Sequence, residues 1–129
     1  MKPMDSTKSK NYLTKAENSL RIAKIALKQE AYDNAVMSSV HSAINSLDAL
    51  TTHSLRKRSS GAHSDVLTLI KGIFTGKEHS DIARQYATLL SLKNASEYQP
   101  TLMERKDAES SVRQAERILE KVKGKLDLA

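Results

Sequence analysis

No cysteine occurs in this chain of 129 residues. Disulfides and thiolate metal sites are therefore excluded, and a reducing compartment suits it. Tryptophan is also absent, and a single phenylalanine stands beside four tyrosines, so any core must be largely aliphatic. Glycine is held to four residues and proline to two. Scarce breakers and few aromatics favour helices over strands. No window alternates apolar and polar residues with period two, which predicts no sheet. No apolar run approaches the ~20 residues that a membrane helix needs. The opening "MKPMDSTKSK" lacks the apolar segment of a signal peptide. The expectation is a cytoplasmic protein with no membrane partner.

What is abundant is charge with a basic excess. Lys and Arg number 21 against 15 Asp and Glu, a formal net charge of +6. An excess of this size fits an anionic partner such as RNA or a nucleotide, and it also fits simple solubility. The four histidines, His41, His53, His63 and His79, include no pair at the i, i+4 spacing of a helical metal site. No glycine-rich phosphate loop is present, so neither a metal nor a cofactor is expected. His41 falls near an apolar face and reads as a packing residue.

Periodicity divides the chain into helices. Residues 1–8 read as a disordered lead-in, and residues 9–129 as a single domain. A first helix starts near Ser9, with Leu13, Ala16, Leu20, Ala23 and Leu27 on one stripe that Ile22, Ile25 and Ala26 widen. After the short break "QEAYDN", Asp33 or Asn34 is positioned to cap a second helix. That helix carries Tyr32, Val36, Val40, Ala43, Leu47 and Leu50, with Ala35, Ile44 and Ala49 beside them, and reaches about Thr52. It is apolar around much of its circumference. Such a helix lies in the middle of a bundle or buries a second face against another subunit.

"HSLRKRSSGAH" is the clearest loop, with Arg56, Lys57 and Arg58 ahead of a Ser-Ser-Gly turn. Three adjacent cations there fit a phosphate backbone, or a solvated loop. A third, shorter helix carries Val66, Leu67, Leu69, Ile70, Ile73 and Phe74, and "TGKEHS" ends it. The fourth shows Ile82, Ala83, Tyr86, Leu89 and Leu90 and runs into "SLKNASEYQP". The fifth begins between Thr101 and Asp107, with Ala108, Val112, Ala115, Leu119, Val122 and Leu126 as its stripe; Gly124 weakens its end. The fold class is all-α, an up-and-down antiparallel bundle of four to five helices joined by short loops.

On the fourth helix Lys93 and Glu97 fall one turn apart at the apolar side. They read either as a snorkelling lysine with its i+4 glutamate or as the ionisable groups of a polar cleft.

Four stretches together resemble the HEPN-domain family of small all-α proteins. They are "AENSLRIAKIALKQEAYDNAVMSSVHSAINSLDAL", "RKRSSGAHSDVLTLI", "LLSLKNASEY" and "DAESSVRQAERILEKV". The resemblance spans residues 10–125. It implies an up-and-down bundle and a homodimer. Many members are ribonucleases, often toxins paired with a minimal nucleotidyltransferase antitoxin. Their motif is an Arg, often followed by Asn, with a His a few residues on, gathered in a cleft shared between subunits.

Here Lys93 stands where that Arg would be, Asn94 follows it, and Tyr98 stands where the His would be. Lysine lacks the planar fork that grips phosphate. A tyrosine side chain ordinarily ionises near pH 10, far from the range of a general base. The resemblance therefore implies a non-catalytic binding or interaction module. Its ligand would be a nucleotide, RNA or a nucleotidyltransferase-type partner. Lys93, Asn94, Glu97, Tyr98, Arg56, Lys57 and Arg58 are its candidate binding residues. The alternatives are a divergent metal-independent ribonuclease using Lys93, Asn94 and Tyr98, and a structural helical subunit of a larger assembly.

Overall fold

Alanines and serines recur along the facing sides of the first two helices, and small side chains let backbones approach closely. In the computed structural model, which describes residues 6–55 and 65–127, α1 (Ser6–Lys28) and α2 (Tyr32–Leu55) pack antiparallel along that seam. Ala16, Ala23 and Ala26 are buried on α1, and Ala35, Ser42, Ser46 and Ala49 on α2. The approach is close enough for two hydroxyls to bond across it. Ser42 Oγ donates to the Ala16 carbonyl and Ser9 Oγ to the Ala49 carbonyl, both at 2.8 Å.

The turn between them is closed by a Schellman pattern. Ala31 N–H donates to the Ala26 carbonyl at 2.9 Å and Glu30 N–H to the Leu27 carbonyl at 3.1 Å. Glu30 takes the left-handed position, with φ 62. A non-glycine residue there costs roughly 1–2 kcal/mol.

α3 (Val66–Leu69) is a single turn that tightens into a 3-10 turn over Ile70–Gly72. α4 spans Gly76–Tyr98 and α5 Arg105–Asp127. No strand occurs among the described residues. The architecture is the all-α bundle expected from periodicity.

α2 is the central element, touching α1, α5, α4 and α3. Val36, Val40, Ala43, Leu47 and Leu50 are fully buried there with Phe74, Ile82, Tyr86, Leu89, Ile118 and Val122. Its wide apolar circumference is thus largely met within one chain. On the outer side, α1 and α5 are laced by Glu17–Lys123 at 2.9 Å and Lys24–Glu116. These half-exposed pairs add at most about 1 kcal/mol each.

Several expectations need correction. α1 begins at Ser6, so residues 6–8 are helical, while residues 1–5 lie outside the described residues. Ile22 and Ile25 do not widen the core stripe: they are 49% and 47% exposed, because α1 buries only the side turned to α2 and α5. Ile44 is half-buried and His41 exposed, since no other described element covers the matching part of α2. "TGKEHS" does not end the third helix but opens α4. Gly76 lies there at φ +55, a left-handed conformation that glycine adopts without a Cβ clash.

Burial ranks the core substitutions. Leu47→Ala should cost about 3 kcal/mol in urea or thermal unfolding, and the half-buried Ile44→Ala only about 1 kcal/mol. Equal losses would contradict the burial difference.

Candidate functional site

The final turns of α4 are placed by the same periodicity that builds its core face. Ile82, Tyr86 and Leu89 point into the bundle. At ~100° per residue, Lys93 comes within about 20° of the Ile82 direction and continues that seam one turn beyond Leu89. The apolar seam thus ends in a lysine whose side chain is only 22% exposed. Its charge is met on its own helix, where Lys93 Nζ donates to Glu97 Oε2 at 3.0 Å. The i, i+4 pairing expected of a snorkelling lysine is the arrangement found.

Asn94 and Tyr98 lie elsewhere. Tyr98 is about 160° around α4 from Ile82 and about 140° from Lys93, and it is 77% exposed. Asn94 is exposed as well. The four residues of the stretch therefore form two separate pairs. Arg56, Lys57 and Arg58 lie outside the described residues.

What anchors the stretch is Asp33. It was expected at most as a helix cap, but α2 already begins at Tyr32, and the carboxylate reaches across the bundle. Ser96 Oγ donates to Asp33 Oδ1 at 2.9 Å and Met103 N–H donates to Asp33 Oδ2 at 3.2 Å. One side chain thus ties the start of α2 to the end of α4 and to the loop before α5. The neighbouring helix start is secured by Asp107 Oδ2, which accepts the Glu104 N–H at 2.9 Å in capping-box fashion. Arg105 joins it to the α1–α2 turn, bonding Glu30 Oε1 at 3.0 Å and stacking 5.4 Å from the Tyr32 ring centre.

Beside this end, α2 shows a strip that no described element covers: Asn34 and His41 are exposed, and Met37, Ser38, Ile44 and Asn45 are half-buried. The antiparallel course set by the Ser96–Asp33 bond brings Lys93 level with the Val36–Met37 turn, at a rise of about 1.5 Å per residue. Sequence reasoning missed this strip because His41 sits among apolar residues in the chain. Only the neighbouring helices reveal which side of α2 stays open.

Deeper on the α4 seam, the Tyr86 phenol is held above its ordinary ionisation range, chiefly by burial and then by the nearby Asp48 carboxylate. His79 Nε2 lies 2.9 Å from the Leu67 carbonyl oxygen. A carbonyl only accepts, so that nitrogen carries the proton. No cluster of three metal-binding side chains exists among the described residues. No described helix is long and apolar enough to cross a membrane.

The HEPN domain family model matches residues 9–125. The chain belongs to the HEPN domain family. Two solved structures share the HEPN bundle seen here. TT1696 from Thermus thermophilus has a TM-score of 0.74 and 22% identity, over 92% of this chain and 98% of that one. ST0689, an archaeal HEPN homologue, has a TM-score of 0.70 and 22% identity, over 90% and 95%. At that identity the likeness speaks for the HEPN fold alone. No curated protein matches the chain.

Two outcomes follow for this end of the HEPN bundle. Asp33→Ala removes the acceptor of two bonds and should cost about 2 kcal/mol, with amide exchange rising first around Ser96 and Met103. Unchanged exchange there would mean that Asp33 anchors nothing. Tyr86 holds its proton more tightly when folded than unfolded. Its contribution is complete below the unfolded value of about 10 and is lost as pH rises beyond it. Unfolding free energy should therefore fall above about pH 10, and Tyr86→Phe should flatten that fall.

Proposed function

We propose that this HEPN domain is a non-catalytic binding and interaction module that works as a homodimer. Its cleft is lined by the Lys93–Glu97 end of α4 and the open strip of α2. The ligands of this reading are a nucleotide, RNA or a small nucleotidyltransferase-type partner, in a toxin–antitoxin-like setting.

One observation carries the non-catalytic reading, the 3.0 Å ion pair of Lys93 with Glu97. A ribonuclease cleft needs a cation free to take the phosphate charge and a base beside it. Here the cation is already neutralised by a carboxylate that would repel a phosphate. Tyr98, at the position of the general base, lies on another side of the helix. The half-exposed Met37, Ile44 and Leu90 supply an apolar border for a second subunit. This strip takes over the role first given to the whole circumference of α2.

The purified protein should cleave a fluorogenic single-stranded RNA no faster than buffer. Robust cleavage that disappears in both Lys93→Ala and Tyr98→Phe would establish the divergent ribonuclease instead. Light scattering should give about twice 14.3 kDa, and Ile44→Glu should shift that mass toward the monomer. A monomeric wild type at micromolar concentration would remove the shared cleft.

A further inference from the structure

Among the described residues four large apolar side chains are exposed, and two of them, Ile22 and Ile25, are neighbours one turn apart on α1. Single apolar residues on a surface are ordinary, but a neighbouring pair on one helix face is the kind of anchor that a second helix covers.

The charge around this pair is of one sign. Arg21 and Lys28 bracket it two turns apart, about 10.5 Å along the axis. Arg21, Ile22, Ile25 and Lys28 are all exposed. They fall within about 120° of the helix circumference. Neither cation has a carboxylate partner among the described residues; Arg21 Nη2 donates to the uncharged Asn18 Oδ1 at 3.1 Å. Glu17 is the single acidic residue of α1, and Lys123 holds it at 2.9 Å. Glu116 is held by Lys24 and Glu30 by Arg105. The carboxylates bordering the face are thus already paired. The face itself is apolar at its centre and basic toward both ends.

We infer that this outer face of α1 docks an acidic amphipathic helix of a partner protein. Apolar residues of that helix, three or four positions apart, cover Ile22 and Ile25, and carboxylates two turns apart meet Arg21 and Lys28. The chemistry of the face disfavours other occupants. A second copy of α1, in either direction, would set cations against cations. Two isoleucines are too little apolar surface to seat a helix in a lipid headgroup layer. Isoleucine at the centre gives a nucleic-acid base no aromatic ring to stack on. The inference goes beyond the cleft reading, because this face points away from α2, on which the cleft and the dimer strip lie.

An amide NMR titration of the full chain tests it. The probe is a synthetic helical peptide of about 18 residues, with leucines on one face and glutamates flanking them. One control peptide has serine in place of leucine, and a second has lysine in place of glutamate. The acidic leucine peptide should shift the amides between Asn18 and Gln29, and both controls should bind at least about tenfold more weakly. Affinity should fall as salt rises from about 50 to 200 mM. Ile22→Ser with Ile25→Ser should weaken binding at least about fivefold. Arg21→Glu with Lys28→Glu should reject the acidic peptide and take up the lysine peptide instead. Lys77→Gln, an exposed change on α4, should bind as wild type does. Both double variants alter exposed side chains, so matching thermal unfolding confirms that they are folded.

The docking site is overturned if the acidic peptide leaves the α1 amides unmoved, or if the isoleucine variant binds it with wild-type affinity. Binding of phosphatidylserine vesicles or oligouridine to these amides, without binding of the peptide, would assign the face to a membrane or to nucleic acid and overturn it equally. A lower mass of the isoleucine variant in light scattering would make the face an interface between copies, which also removes the proposed partner.

Discussion

One hydroxyl at the end of the seam between the first two helices and another near its middle reach backbone carbonyls of the opposite helix, and this is feasible only because alanine and serine line that seam. Ser42 bonds to Ala16 and Ser9 to Ala49, so the contact is held at two places. With α1 so close on one side, α2 has its other sides free for α5 and α4, and the aliphatic core forms around it. Each remaining helix is placed by what it can bury against α2. A larger residue at Ala16 or Ala23 would push α1 away and undo that arrangement.

The candidate site is a by-product of the same geometry. α4 follows α2 closely while its seam residues are Ile82, Tyr86 and Leu89. Beyond Leu89 the seam opens to water, and a lysine with its glutamate takes the place of an apolar side chain. Asp33 keeps that open end from fraying by accepting bonds from Ser96 and Met103. The exposure of Tyr98 follows directly, because the five residues beyond Lys93 carry it about 140° further around the helix, away from the bundle.

The charged residues of this HEPN domain divide by the company they keep. Those paired across helices, such as Glu17 with Lys123, hold elements in register and have little field left for a ligand. The first half of α1, from Ser6 to Ala16, carries three lysines and no acidic residue. A basic excess read from composition alone does not separate these roles, whereas partner distances do.

Much of the fold was legible in the chain. Stripes such as Val36, Val40, Ala43, Leu47 and Leu50 specify helices and their inner faces, because apolar burial acts on a local repeat of about 3.6 residues. The central position of α2 was also readable, from its apolar residues on several sides. The Lys93–Glu97 pair was readable for the same reason, being local to one helix. What tertiary structure alone decided were relations between distant residues. Asp33 became an anchor because Ser96, 63 residues away, lies against it. Ile22 and Ile25 stayed in water because no described element covers them, although their residue type alone would place them in the core. Periodicity states which side of a helix is apolar, and only the packing of its neighbours states which side is covered.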